Sequence, residues 1–141
     1  MLKEKTLTRF VTAQKTDFDT ALAEVRNGRK RSHWMWYIFP QVDGLGYSET
    51  SRFYSIKNIE EATAYLEHPV LGTRLVEICH ELVKLPGNDP ARIFGTPDDI
   101  KLRSSMTLFA LLENSNPVFR QVLDKYFHGQ MDEKTAMLLG G

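Results

Sequence analysis

Apolar residues recur at spacings of three and four along almost the whole chain, a period that builds helices and leaves little that could pair as a sheet. Phe18, Ala21, Leu22 and Val25 follow the i, i+3, i+4, i+7 pattern. Thr16 or Asp17 is placed to cap that helix, and Gly28 stands where a left-handed residue would end it. Upstream, Leu7, Phe10 and Val11 suggest a shorter helix. Asn58 with Glu61 three residues on opens another, which Pro69 ends or restarts. Leu71, Leu75, Ile78, Cys79, Leu82 and Val83 mark a longer one that stops before Pro86-Gly87. Thr96 as cap, Pro97 at the first helical position and Asp98-Asp99 in the first turn predict a helix running to about Leu112. Asn116-Pro117 begins the next, with Val118, Val122, Leu123 and Phe127 inward and Gly129 as its stop, and Asp132 is placed to cap a last turn or two. The only β-rich stretch, Trp34 to Phe39, lacks polar alternation and has no matching hairpin partner. The expectation is an all-α single domain over 1–141, with six to eight short to medium helices and loops at about 39–47 and 86–96.

Composition narrows the class further. At 141 residues and 42% hydrophobic, the chain is long enough to bury a core without staples. Its single cysteine, Cys79, excludes a disulfide scaffold and is read as a small core residue. Eighteen basic against eighteen acidic residues argue against a nucleic-acid binder. The longest apolar run, the six residues Trp34–Phe39, falls far short of the ~20 that span a bilayer. No apolar stretch follows Met1-Leu2-Lys3-Glu4-Lys5, so neither a signal peptide nor a membrane location is expected, and the cytoplasm is. The charge is uneven, however: residues 1–43 hold eight Lys/Arg and five Asp/Glu, net +3. Most of that excess lies in Arg26, Arg29, Lys30 and Arg31, either a solvated turn or an anion-binding rim.

Two segments concentrate chemistry. In Lys30-Arg31-Ser32-His33-Trp34-Met35-Trp36-Tyr37-Ile38-Phe39-Pro40-Gln41, both tryptophans lie beside the basic cluster. Ser32 is placed to cap a short helix whose first amides would share a direction with Lys30 and His33. The rings are either core or a stacking surface for a flat ligand. In the second segment, Asp98 lies one turn before Lys101, and Lys101, Ser104 and Ser105 fall at i, i+3 and i+4. These groups either satisfy one another or line a pocket. His33, His68, His80 and His128 show no metal spacing, and no phosphate-binding or nucleophile-elbow motif is present, so no metal or cofactor is expected.

Several long motifs occur in one order: Arg9-Phe10 with Ala13-Gln14, Ala21-Leu22-x-Glu24-x-x-x-Gly28, the Lys30–Gln41 segment, Gly44-Leu45-Gly46, Tyr65-Leu66-x-His68-Pro69-x-Leu71-Gly72 and Ile93-Phe94-Gly95-x-x-Asp98-Asp99-x-Lys101-Leu102-x-Ser104-Ser105-Met106-Thr107-Leu108-Phe109. In these the chain resembles, over essentially its whole length, a bacterial family known as domain of unknown function 1810. The resemblance implies an all-helical single domain and carries no activity with it. The label calpastatin-like, attached to some members, implies a disordered inhibitor, which a chain 11% aromatic with regular helical patterning does not resemble.

The residues therefore point to a pocket for a small anion, with nucleotide-type ligands as one candidate, where the Ser32–Gln41 and Asp98–Thr107 segments meet. His33 would be the acid or base, Lys101 the electrostatic anchor, and Lys30, Ser32, Trp34, Trp36, Gln41, Asp98, Arg103, Ser104 and Ser105 the ligand-binding set. The alternative is an interaction module in which Trp36, Tyr37 and Phe39 form an exposed patch for a protein partner, in a monomer or homodimer.

Overall fold

The computed structural model describes the backbone of residues 2–140 and the side chains of residues 7–140; the expectation attached to Met1–Lys5 lies outside the described side chains. Among the described residues there are nine helices and no strand, one helix more than the largest number expected. A lone parallel bridge, Val42 to Ile56, ties the two loops that flank the short helix Glu49–Tyr54.

The first helix, α1 (Leu2–Arg26), is one continuous rod of 25 residues where two helices were expected. Its buried stripe runs Leu7, Phe10, Gln14, Phe18, Ala21, Val25. Gln14 occupies a core position of that stripe, so the apolar pattern looks broken while the helix is not. The amide stays buried because it donates to the Tyr37 carbonyl at 2.8 Å and the Tyr65 hydroxyl at 2.9 Å. Asp17 caps nothing; its carboxylate accepts from the Tyr37 hydroxyl. Gly28 ends the helix as expected: at φ +72° it lets its own amide reach Val25 O and the Arg29 amide reach Glu24 O.

Two short helices, α2 (Met35–Ile38) and α3 (Glu49–Tyr54), follow, and Ser48 rather than Ser32 supplies a cap, accepting from the Ser51 amide. Asn58 caps α4 (Ile59–Glu67) by accepting from the Glu61 amide. The turn into α5 (Leu71–Lys84) uses the His68-Pro69-x-Leu71-Gly72 motif: His68 Nδ1 accepts the amides of Val70 and Leu71 at 3.1 and 3.2 Å. A Cβ on Gly72 would stand 2.0 Å from Leu66 O, so only glycine lets the two helices close so tightly.

Within the expected 86–96 loop, Asp89 and Pro90 open a further short helix, α6 (Pro90–Phe94), a cap-and-proline start present in the sequence. In α7 (Asp98–Ala110) it is Pro97, and not Thr96, that stands at the cap position. This helix is buried on most sides, from Leu102 through Phe109, and packs against α6, α4, α8 (Val118–Phe127) and α9 (Glu133–Leu138). In α8, Tyr126 rather than Phe127 is fully inward. Asp132 caps α9, accepting from the Thr135 amide. Cys79 is buried against Met106, and desolvation pushes its thiol far above the ordinary range, as befits an inert core residue.

Candidate functional site

The loop after α1 is organised by one carboxylate. Glu24, on the last full turn of α1, accepts from the Arg31 amide (2.8 Å), the Ser32 amide (3.0 Å), the Ser32 hydroxyl (2.6 Å) and the Trp34 indole N–H (2.9 Å). Desolvation alone would raise its pKa, but the four donors outweigh that and lower it from 4.5 to about 2. Ser32 is thus spent on Glu24 and caps no helix. Trp34 is buried against Phe39 and Phe94.

With the loop so folded, the Lys30 amide donates to Ile93 O at 2.7 Å and its ammonium lies 2.9 Å from Asp98 at the start of α7. Lys101, one turn on, lies 3.1 Å from the other oxygen of Asp98. Desolvation pushes the Asp98 pKa up, yet the two ammonium groups prevail and hold it below the usual carboxylate range. Each lysine also sits over an indole, Lys30 at 5.0 Å from Trp34 and Lys101 at 4.1 Å from Trp36. The fold therefore brings the Lys30–Gln41 and Asp98–Thr107 segments together, with two cations on one carboxylate.

Next to this triad is a cavity of about 260 Å³, with Trp36, Gln41, Lys101 and Ser104 on its wall. Leu45, Gly46, Pro97 and Ile100 supply apolar surface, and Asp132 with Lys134, at the start of α9, closes one side. Gln41 is 9% exposed and its Nε2 has no hydrogen-bond partner among the described residues. The Ser104 hydroxyl donates weakly, at 3.3 Å, to Ile100 O.

The remaining expected residues lie elsewhere. His33 is exposed and does not line the cavity; its carbonyl accepts from Tyr37. Arg103 reaches toward Asp132 at 3.9 Å, and Ser105 is wholly buried with an unpaired hydroxyl, away from the cavity wall. Phe39 is fully buried and Trp36 and Tyr37 only partly exposed, so the expected exposed aromatic patch is not formed: Phe39 packs in the core, Trp36 lies on the cavity wall under Lys101, and Tyr37 is tied to α1 by Gln14 and Asp17. Glu24 and Lys134 lie outside the site residues the sequence points to, and Asp132 reads there only as a helix cap. A glutamate eight residues before a serine that needs an acceptor is a faint signal for the first, and the distant C-terminal pair carries none.

Residues 4–139 match the family described as Protein of unknown function (DUF1810). The chain belongs to that family. Among solved structures, it is similar to the crystal structure of the conserved hypothetical protein Rv1873 from Mycobacterium tuberculosis, at 47% identity over 96% of each chain and a TM-score of 0.93. No curated protein matches the chain. Among the described residues no helix is long and apolar enough to cross a membrane, and no group of three His, Cys, Asp or Glu side chains is placed to hold a metal ion.

Proposed function

We propose that this protein binds a small organic anion, a carboxylate or a phosphate monoester, in the cavity between α2, the Gly44–Gly46 loop, α7 and α9. The observation that carries the reading is Gln41, which lines the cavity and whose buried Nε2 has no hydrogen-bond partner among the described residues. Leaving such a donor unsatisfied costs about 1–3 kcal/mol, which a ligand acceptor would offset. Charge supports the same class. Lys101 and Lys134 stand on the wall against Asp132, and Lys30 shares Asp98 with Lys101 just behind it, so cations outnumber carboxylates on the wall itself.

At about 260 Å³, the cavity lies just below the ~300–1,000 Å³ of ordinary ligand pockets, so a whole nucleotide would project from it. Lys101 serves as electrostatic anchor, Gln41 and Ser104 as orienting hydrogen-bonders, and Trp36 as an apolar wall. Binding fits this wall better than catalysis. Its ionisable groups among the described residues are Lys101, which is ion-paired, Asp132, which caps α9, and Lys134.

The test is a thermal-shift screen of carboxylates, phosphate monoesters, nucleotides and nicotinamide compounds on the wild type and Lys101→Ala. A ligand at 100 times its Kd contributes about 2.7 kcal/mol, a melting shift of roughly 8 °C for a chain of this size. The proposal fails if no compound shifts the wild type, or if Lys101→Ala responds equally.

A further inference from the structure

The net +3 of the first 43 residues finds only part of its compensation in the fold. Around the end of α1 the carboxylates are already committed. Glu24 holds the loop, Glu77 and Glu81 take Arg26, with Lys84 also on Glu81, Asp89 caps α6, and Asp98 takes Lys30 and Lys101. Arg29, Arg31 and Arg92 are exposed and have no ion-pair partner among the described residues.

The backbone bond from the Lys30 amide to Ile93 O brings the main chain at Arg29 and Arg31 beside that at Arg92, so the three exposed arginines belong to one end of the molecule. Beside them runs an open groove of about 620 Å³ between the end of α1, the 85–89 loop and α6, with Arg92, the ion-paired Arg26 and Asp89, whose carboxylate is taken by the α6 amides, on its polar side and Leu85, Pro86 and Ile93 on its apolar side. At Gly28 and Gly87, both at positive φ and both lining it, nothing lies within 4 Å of where a Cβ would stand, so a ligand can approach the main chain.

We infer that this groove is a second anion site, separate from the Gln41 cavity and independent of its occupant, and that it takes an oligophosphate. Guanidinium groups pair phosphate oxygens two at a time, and three uncompensated ones are matched by a chain of two or three phosphates, where a single carboxylate would leave most of the charge unmet. The shared chemistry comes either as a free oligophosphate or on a nucleoside, whose base would lie on Leu85, Pro86 and Ile93.

The experiment is calorimetric titration of the full chain with sodium tripolyphosphate and with ATP at low ionic strength, on the wild type, on the triple variant Arg29→Gln/Arg31→Gln/Arg92→Gln, and on Lys101→Ala. Tripolyphosphate should bind the wild type and Lys101→Ala alike, and bind the triple variant about tenfold or more weakly. Because the three side chains are exposed, the ligand-free melting temperature of the triple variant should match the wild type. Equal affinity for the two probes assigns the free oligophosphate, and tighter binding of ATP assigns the nucleotide. Absence of heat with both probes, equal binding by the triple variant, or equal displacement by sulfate at matched ionic strength overturns the site.

Discussion

Two largely buried ion-pair centres each join segments distant in sequence, and they are built differently. In the first, Arg9 of α1 meets Glu61 of α4 with side chains 12% and 8% exposed. Its guanidinium also donates to the carbonyls of Phe53 and Ser55, at 2.7 and 2.9 Å, and lies over the Phe10 ring, while Glu61 accepts the Lys57 amide as well. One guanidinium meets one carboxylate there, and backbone carbonyls take up further donors. In the second, Asp98 faces two lysines, the charge is uneven, and a cavity with an unpartnered amide lies alongside. The first is a clasp that joins α1 to the 53–61 segment. The second keeps positive charge and a hydrogen-bond donor in reserve, which a structural clasp does not need.

The sharpest way to separate them is to break the clasp. Glu61→Ala strands a buried guanidinium and should cost about 3 kcal/mol in urea denaturation, while leaving any ligand-induced melting shift at the second centre intact. Next in size is Glu24→Gln, which keeps the shape of the loop anchor but weakens its four hydrogen bonds; a loss of about 1–2 kcal/mol is expected, reduced by the partial solvent access of the group. The Glu24 pKa is depressed in the fold, so its contribution is fully present above pH 4.5 and is lost as the pH falls toward about 2. Stability measured across that window should therefore fall less steeply in Glu24→Gln than in the wild type.

Lys101→Ala should cost less than about 1 kcal/mol, because Asp98 keeps Lys30 and the lysine is partly exposed, yet it should abolish the ligand response. The smallest stability effect belongs to Gln41→Met, which replaces an unpaired buried amide by a side chain of similar size. Its stability should stay within about 0.5 kcal/mol of the wild type or rise.

How far the sequence announces this depends on whether a signal is local. Helix ends are legible where one residue type does the work by itself: Gly28, Asn58 and Asp132 act as their types suggest. The sequence suggests two helices where α1 is one because Gln14 interrupts the apolar stripe, and its partners, Tyr37 and Tyr65, lie 23 and 51 residues away. Ser32 looks like a cap in the sequence for a like reason, since its acceptor, Glu24, sits on the preceding helix. The meeting of the tryptophan segment with Asp98 and Lys101 followed from their shared chemistry, two polar groups beside apolar runs that need partners. The wall from Asp132 and Lys134 depends on where α9 docks, and the Thr107 hydroxyl that receives the Asp132 amide carries no such mark.

The most direct test is Gln41→Met, with denaturation and binding of the best screened anion measured on the same sample. The account predicts wild-type stability, or slightly more, together with binding weakened at least about tenfold. A fall of about 2 kcal/mol or more with unchanged affinity would contradict it, because Gln41 would then be holding the fold and not the ligand.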